Sequence, residues 1–274
     1  MIQLITGIPR SGTTLCCKLL NQREEVIALH EPINPAAIVK NADANMALAY
    51  ICKQIAGFQH AIENGLPFEH GDKGGLEIDN PVGQQTSDGI RQVVARRGQV
   101  LLPKRVPGSY QLVVKQNALF TALLGQLSAE FAVTAIVRNP VDVLLSWLTV
   151  DLPVNRGRIP AGERFATRLA AELAAEPSRI RRQWRIYKWF MYQFHQYGLK
   201  VLRYEDILAS NGSTLDKALG LPAISRQALT PQQRQFAPEV LQELGSIKAE
   251  LLAADFYGHY STEDIAARLR QCGL

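Results

Sequence analysis

The sequence predicts an α/β fold: three α/β/α layers around a central, mainly parallel sheet, with helical insertions. Three observations carry that reading. Short, mostly apolar runs at 2–5, 111–115, 132–137 and 199–202 alternate with longer stretches of helical periodicity. Such runs suit strands buried on both faces, the condition of a parallel sheet covered by helices on either side. The first run passes directly into a glycine turn and a helix start, GIPRSGTT over 7–14. Polar residues also gather just past the strands: Arg10, then His30 and Glu31, then Lys115, then Arg138 and Ser146, then 203–206. Ligands of open α/β sheets bind beyond the carboxyl ends of the strands.

The 7–14 turn has the make-up of a phosphate cradle. A helix start offers unpaired N–H groups and the positive end of the helix dipole. Gly7 and Gly12 let the backbone curl around an anion, Arg10 adds charge, and Ser11, Thr13 and Thr14 add hydroxyl donors. The spacing approaches G-x-x-x-x-G-K-[ST], a P-loop, with Gly7, Gly12 and Thr14 in place. Thr13 stands where the lysine would reach a triphosphate, so the loop suits an anion other than ATP or GTP. The plainer reading is an ordinary strand-to-helix turn.

Residues 26–29 read as a second strand, closed by His30-Glu31-Pro32 and a second proline at 35. An alanine-rich helix is expected over about 36–64, stopped by Gly65, and a surface loop over 65–85. Ser87 or Asp88 is placed to cap a helix running to about 97. Residues 100–106 read as a strand or hairpin arm before the core strand 111–115, and a helix over about 119–127 follows. Pro140 opens a helix straight after strand 132–137. A Pro/Gly loop at 151–162 leads to two helices within about 163–197. The second carries Trp184, Tyr187, Phe190, Met191 and Phe194 at helical spacing, a core stripe. We read one domain over 1–274, with helical insertions at about 36–99 and 151–197.

Composition is that of an ordinary globular chain: 47% hydrophobic and 20% charged residues, with a net charge of +5. This mild basic balance fits an anionic partner, but no Lys/Arg run dominates, so a nucleic-acid partner is not expected. The densest cluster, Arg179, Arg181, Arg182, Arg185 and Lys188, reads first as a solvated helix face and second as a surface for an anionic substrate. Four cysteines without C-x-x-C or Cys/His ligand spacing suggest neither a metal nor a disulfide framework. The chain opens on a strand, with no leader pattern and no apolar run of membrane-spanning length, so a soluble, cytoplasmic placement is expected.

Three blocks together resemble the sulfotransferases that use 3′-phosphoadenosine-5′-phosphosulfate (PAPS). Pro9-Arg10-Ser11-Gly12-Thr13-Thr14-Leu15 is similar to their 5′-phosphosulfate loop. Arg138-Asn139-Pro140 with Ser146 is similar to their 3′-phosphate motif, R-x-P-x-x-x-x-x-S. Arg203-Tyr204-Glu205-Asp206-Ile207 is similar to their R-Y-E-D-L segment. The blocks keep the family's order over about 4–208, and the loop is nearest the tyrosylprotein and carbohydrate group. The resemblance implies PAPS as co-substrate, adenosine 3′,5′-bisphosphate (PAP) as product and no metal. It implies that Arg10, Ser11, Gly12, Thr13 and Thr14 hold the 5′ end while Arg138 and Ser146 hold the 3′-phosphate. It also implies Glu31 as the base for in-line transfer to a hydroxyl on a small molecule, glycan or peptide, with His30 the rival base and Lys115 stabilising the transferring group. Histidine has the more suitable ordinary pKa, and a glutamate base would want its own raised. Two departures stand out: Asn117 replaces the proline of K-x-P after Lys115, and the R-K-G-x-x-G-D-W-K segment of the cytosolic enzymes is absent. The alternatives are a P-loop kinase or phosphotransferase and a non-catalytic nucleotide-binding module.

Overall fold

A computed structural model describes residues 1–72, 82–85, 90–93, 96–106, 108–230 and 234–274. Strand β1 (Ile2–Gly7) feeds the loop and helix α1 (Thr13–Asn21), which returns to strand β2 (Val26–His30). A 3-10 turn at Pro35–Ala37 precedes helix α2 (Ala44–Asn64). Asp43 caps α2 by accepting the Met46 N–H at 2.8 Å, so the helix expected from about 36 begins later. Gly65, at φ 62°, ends it as expected.

The next segment departs most from expectation. Strands β3 (Phe68–Asp72), β4 (Val82–Gln85), β5 (Arg91–Val93) and β6 (Arg96–Val100) form two antiparallel ribbons, β3 with β6 and β4 with β5. They replace part of the loop at 65–85 and the helix expected to about 97, so the 36–99 segment is helix plus ribbons. The caps at Ser87 and Asp88 lie outside the described residues. Tertiary partners explain the extended chain: the Arg91 N–H donates to the Thr149 carbonyl at 3.2 Å, and the Asp151 N–H to the Arg91 carbonyl at 2.9 Å. Gly98 also disfavours a helix there. The arm expected at 100–106 is no strand beyond Val100. Instead, Lys104 Nζ donates to the carbonyls of Asn21, Arg23 and Val26, tying this stretch to the α1–β2 turn.

Strand β7 (Gln111–Lys115) is buried at every residue. Helices α3 (Ala118–Ala122) and α4 (Leu124–Glu130) follow, one expected helix broken at Leu123. Strand β8 (Ala132–Val137), buried over its last four residues, helix α5 (Pro140–Leu148), the short helix α6 (Pro160–Glu163) and helices α7 (Thr167–Ala175) and α8 (Arg179–Gln196) lead to the partly exposed edge strand β9 (Lys200–Arg203). The main sheet runs β2-β7-β1-β8-β9 with every neighbouring pair parallel, flanked by helices. Its carboxyl ends therefore share one edge. Helices α9 (Tyr204–Ala209), α10 (Ser213–Ala218), α11 (Pro238–Gly245), α12 (Lys248–Leu252) and α13 (Thr262–Gln271) complete the chain. No described helix is long and apolar enough to cross a membrane.

Helix α5 is buried at every position but Asp142, as expected of a helix apolar on all sides. The α8 stripe packs against it in one core with Trp147, Trp184, Tyr187 and Phe190. Three of the basic residues of α8 pair with acids, Arg179 with Glu243, Arg181 with Glu250 and Arg185 with Glu176 at 3.0 Å, while Arg182 donates to backbone carbonyls, which favours the solvated-face reading. All four cysteines are free, with Cys16 and Cys17 in the core.

The loop packs tightly against β8 and α9. A Cβ on Gly7 would lie 2.6 Å from the Ile136 carbonyl, and one on Gly12, at φ 86°, 2.3 Å from the Tyr204 ring. Gly12→Ala should therefore cost at least about 2 kcal/mol, adding a left-handed backbone penalty to a steric one. Urea unfolding checks this; an unchanged midpoint would contradict the packing.

Candidate functional site

The loop is held from below by one carbonyl. Ile136 O accepts the Ile8 N–H at 3.1 Å and the Ser11 hydroxyl at 2.9 Å. Trp147 Nε1 donates to the Pro9 carbonyl at 2.8 Å. The Ser11 N–H turns back to Ile8 O at 3.0 Å. Both Ser11 donors are thus spent inside the protein, so its side chain builds the loop instead of offering the donor expected of it. Thr13 is buried against Gly7, while Thr14 is half-buried and lines a cavity. Helix α1 begins at Gly12 with no side-chain cap, leaving the first-turn N–H groups and the dipole for an anion.

Arg10 and Ser146, which the sequence reading divided between the two ends of the donor, meet here. Arg10 Nε donates to Ser146 Oγ at 3.3 Å. Arg91 joins them, its Nη2 donating to Ser146 Oγ at 3.2 Å and to Ser146 O at 3.3 Å. Arg138 lies over the Tyr204 ring at 4.6 Å and has Asp142 at 3.7 Å. Its Nε is buried without a hydrogen-bond partner. Burial, then the charges of Arg234 and Arg138, pull the Arg10 pKa down to about 10. Burial, then Arg234, Arg10 and Arg138, pull Arg91 down to about 9. Among the described residues no carboxylate lies within ion-pair distance of Arg10 or Arg91. Guanidinium groups crowded without counter-charge make this a candidate site for an anion.

A second, closed charge pair sits at the ends of β2 and β7. Lys115, 1% exposed, donates from Nζ to Glu31 Oε1 at 2.7 Å, and the Glu31 N–H donates to Lys115 O at 2.7 Å. Burial alone would raise the Glu31 pKa, but Lys115, His30 and Arg97 outweigh it, and the carboxyl stays below its ordinary range. This is the reverse of the raised value a glutamate base would want. Burial, then Lys115, pushes His30 down to about 3, so its imidazole is neutral and weakly basic. Arg10 and Glu31 both have positive φ, 72° and 48°. Held strain of this kind costs about 1–3 kcal/mol each and collects at functional sites. A cavity of about 290 Å³ lies between α1, β2 and the β3–β6 ribbon, and Thr14, Lys18, Leu29, His30 and His70 are among its walls.

The third block of the sequence serves as scaffold. Tyr204 covers Gly12 and Arg138. Glu205 accepts the Asn139 N–H at 2.9 Å and the Tyr260 hydroxyl at 2.8 Å. Sequence reasoning missed Arg91 and Arg234, which belong to no motif block. The only available signal was that each is an arginine without an i±4 acid partner.

No family model and no curated protein matches the chain. Among solved structures, the chain is similar to a sulfotransferase from Alicyclobacillus acidocaldarius, with a TM-score of 0.41 and 16% identity over 97% of this chain and 94% of that one.

The His30 shift sets a pH dependence. The unfolded imidazole binds a proton near 6.5 and the folded one only near 3, so stability is full above 6.5 and falls as pH drops through that window. The slope reaches at most about 1.4 kcal/mol per pH unit. Between pH 7 and 5, His30→Asn should lose less stability than the parent in urea titrations; equal losses would contradict a depressed His30.

Proposed function

We propose that the protein is a PAPS-dependent sulfotransferase acting on an acceptor hydroxyl. The observation that carries this is the uncompensated arginine group around Ser146, set beside an uncapped helix start and apart from the Glu31–Lys115 pair. A donor with two separate anionic ends fits that layout, and the orphaned Arg138 Nε supplies a buried N–H seeking an acceptor. The N–H groups opening α1 would hold the 5′ end. Arg138 and Ser146 would hold the 3′-phosphate, and Arg10 joins this second clamp because it is bonded to Ser146. When bound, PAPS supplies the sulfuryl group and leaves as PAP.

The remaining work falls to Glu31, Lys115 and the cavity. Glu31 is ionised at neutral pH, and Lys115 occupies only its Oε1. Oε2 can take the proton of an acceptor hydroxyl brought to it past His30, which lines the cavity. Lys115 keeps two ammonium hydrogens for charge developing nearby. A neutral His30 beside this pair is a poor rival base but a ready hydrogen-bond partner for the acceptor.

Calorimetric titration with PAP, adenosine 5′-phosphate and ATP tests the reading. PAP should bind best; preference for ATP would overturn it in favour of a phosphotransferase. With an acceptor found by screening, Glu31→Gln should cut kcat by about 100-fold or more while PAP affinity stays within about twofold. Unchanged turnover would remove Glu31 as base, and its loss in His30→Ala alone would hand that role to His30.

A further inference from the structure

One member of the arginine group comes from outside the three motif blocks. Arg91 lies on β5, and its backbone is joined on both sides to the chain leaving α5, through Thr149 O and the Asp151 N–H. Its side chain is buried and spent on the same helix end: Nη2 on Ser146 O and Oγ, and Nε on Thr149 O at 3.3 Å. Arg10 Nε reaches the same Oγ.

A serine hydroxyl has two acceptor lone pairs and one hydrogen, and a guanidinium has only donors. Arg10 and Arg91 therefore fill both acceptor positions of Ser146 and can take nothing back. The neighbouring Thr149 hydroxyl bonds back to the Leu145 carbonyl at 3.0 Å. Ser146 makes no such bond, and its hydrogen has no acceptor among the described residues. At 2% exposure it is also cut off from bulk water. A polarised hydrogen without an acceptor, ringed by positive charge, asks for an anion to complete it.

We propose that Arg91 is a positioning residue of the anion clamp: with Arg10 it makes Ser146 an obligate hydrogen-bond donor, and the clamp so built selects a phosphate monoester. This rests on the reading of the site as one for a 3′-phosphorylated donor. It adds that the segment between α2 and β7, which carries none of the nucleotide motifs, sets discrimination at that end.

Calorimetry on the full chain tests this with PAP and adenosine 5′-phosphate, alongside thermal melting of each variant. Arg91→Gln should weaken PAP binding roughly tenfold or more, with adenosine 5′-phosphate held within about twofold, and Ser146→Ala should do the same. The double variant should be no weaker than the poorer single, because one residue acts through the other. Arg91→Lys, which keeps a donor and a charge, should recover part of the preference, and it carries the test if Arg91→Gln does not fold. Additive losses in the double variant, or equal losses for both nucleotides, would overturn the positioning role. If the parent prefers PAP and Arg91→Gln keeps that preference undiminished, only the assignment of Arg91 falls. If the parent binds both nucleotides equally, the functional reading falls first and this inference with it.

Discussion

The carbonyl oxygen of Ile136 is the contact on which the site depends. It accepts two hydrogen bonds, from the Ile8 N–H and the Ser11 hydroxyl, at the last turn of a buried parallel strand. That pairing fixes the height of the loop above the sheet and forces its backbone into the left-handed region at Arg10 and Gly12. The guanidinium leaving this strained turn reaches Ser146, well along α5. Strain in the loop is therefore held by the buried carboxyl half of β8.

Two kinds of charge lie along the carboxyl edge. Glu31 and Lys115 neutralise each other at the β2–β7 end. Arg10 and Arg91 have no such partner among the described residues, and the charge of Arg10 helps lower the pKa of Arg91. Burying unmatched charge is costly, and an anion bound there would relieve that cost. The matched pair behaves differently. Its lysine already holds the carboxylate down, so basicity at Glu31 depends on where the Lys115 ammonium points.

Much of this was legible before the structure. Short, mostly apolar runs mark the five parallel strands, and Gly7, Gly12 and Pro140 mark the turns and the α5 start by their local chemistry. Asp43 was a readable cap as well, one residue before α2, but the alanine-rich run ahead of it obscured the boundary. The ribbons were not legible, because Arg91 is held extended by Thr149 and Asp151, far along the chain. The arginine group was half legible. Motif spacing singled out Arg138 and Ser146 but said nothing of the bond from Arg10 to Ser146, since spacing carries no side-chain direction. Ser11 is a similar case: its residue type suggests a ligand donor, and burial turns it inward.

The floor beneath Arg138 is built from distant chain. Asp142, beside Arg138, is gripped by Arg268 of α13 at 2.9 and 2.6 Å, and Glu205 joins Asn139 to Tyr260. Helix α13 is thus a mechanical handle on the surroundings of Arg138. A binding partner or fusion that drew it aside would tilt Arg138 without touching the loop, and trimming the chain before Tyr260 would take away the hydroxyl that holds Glu205.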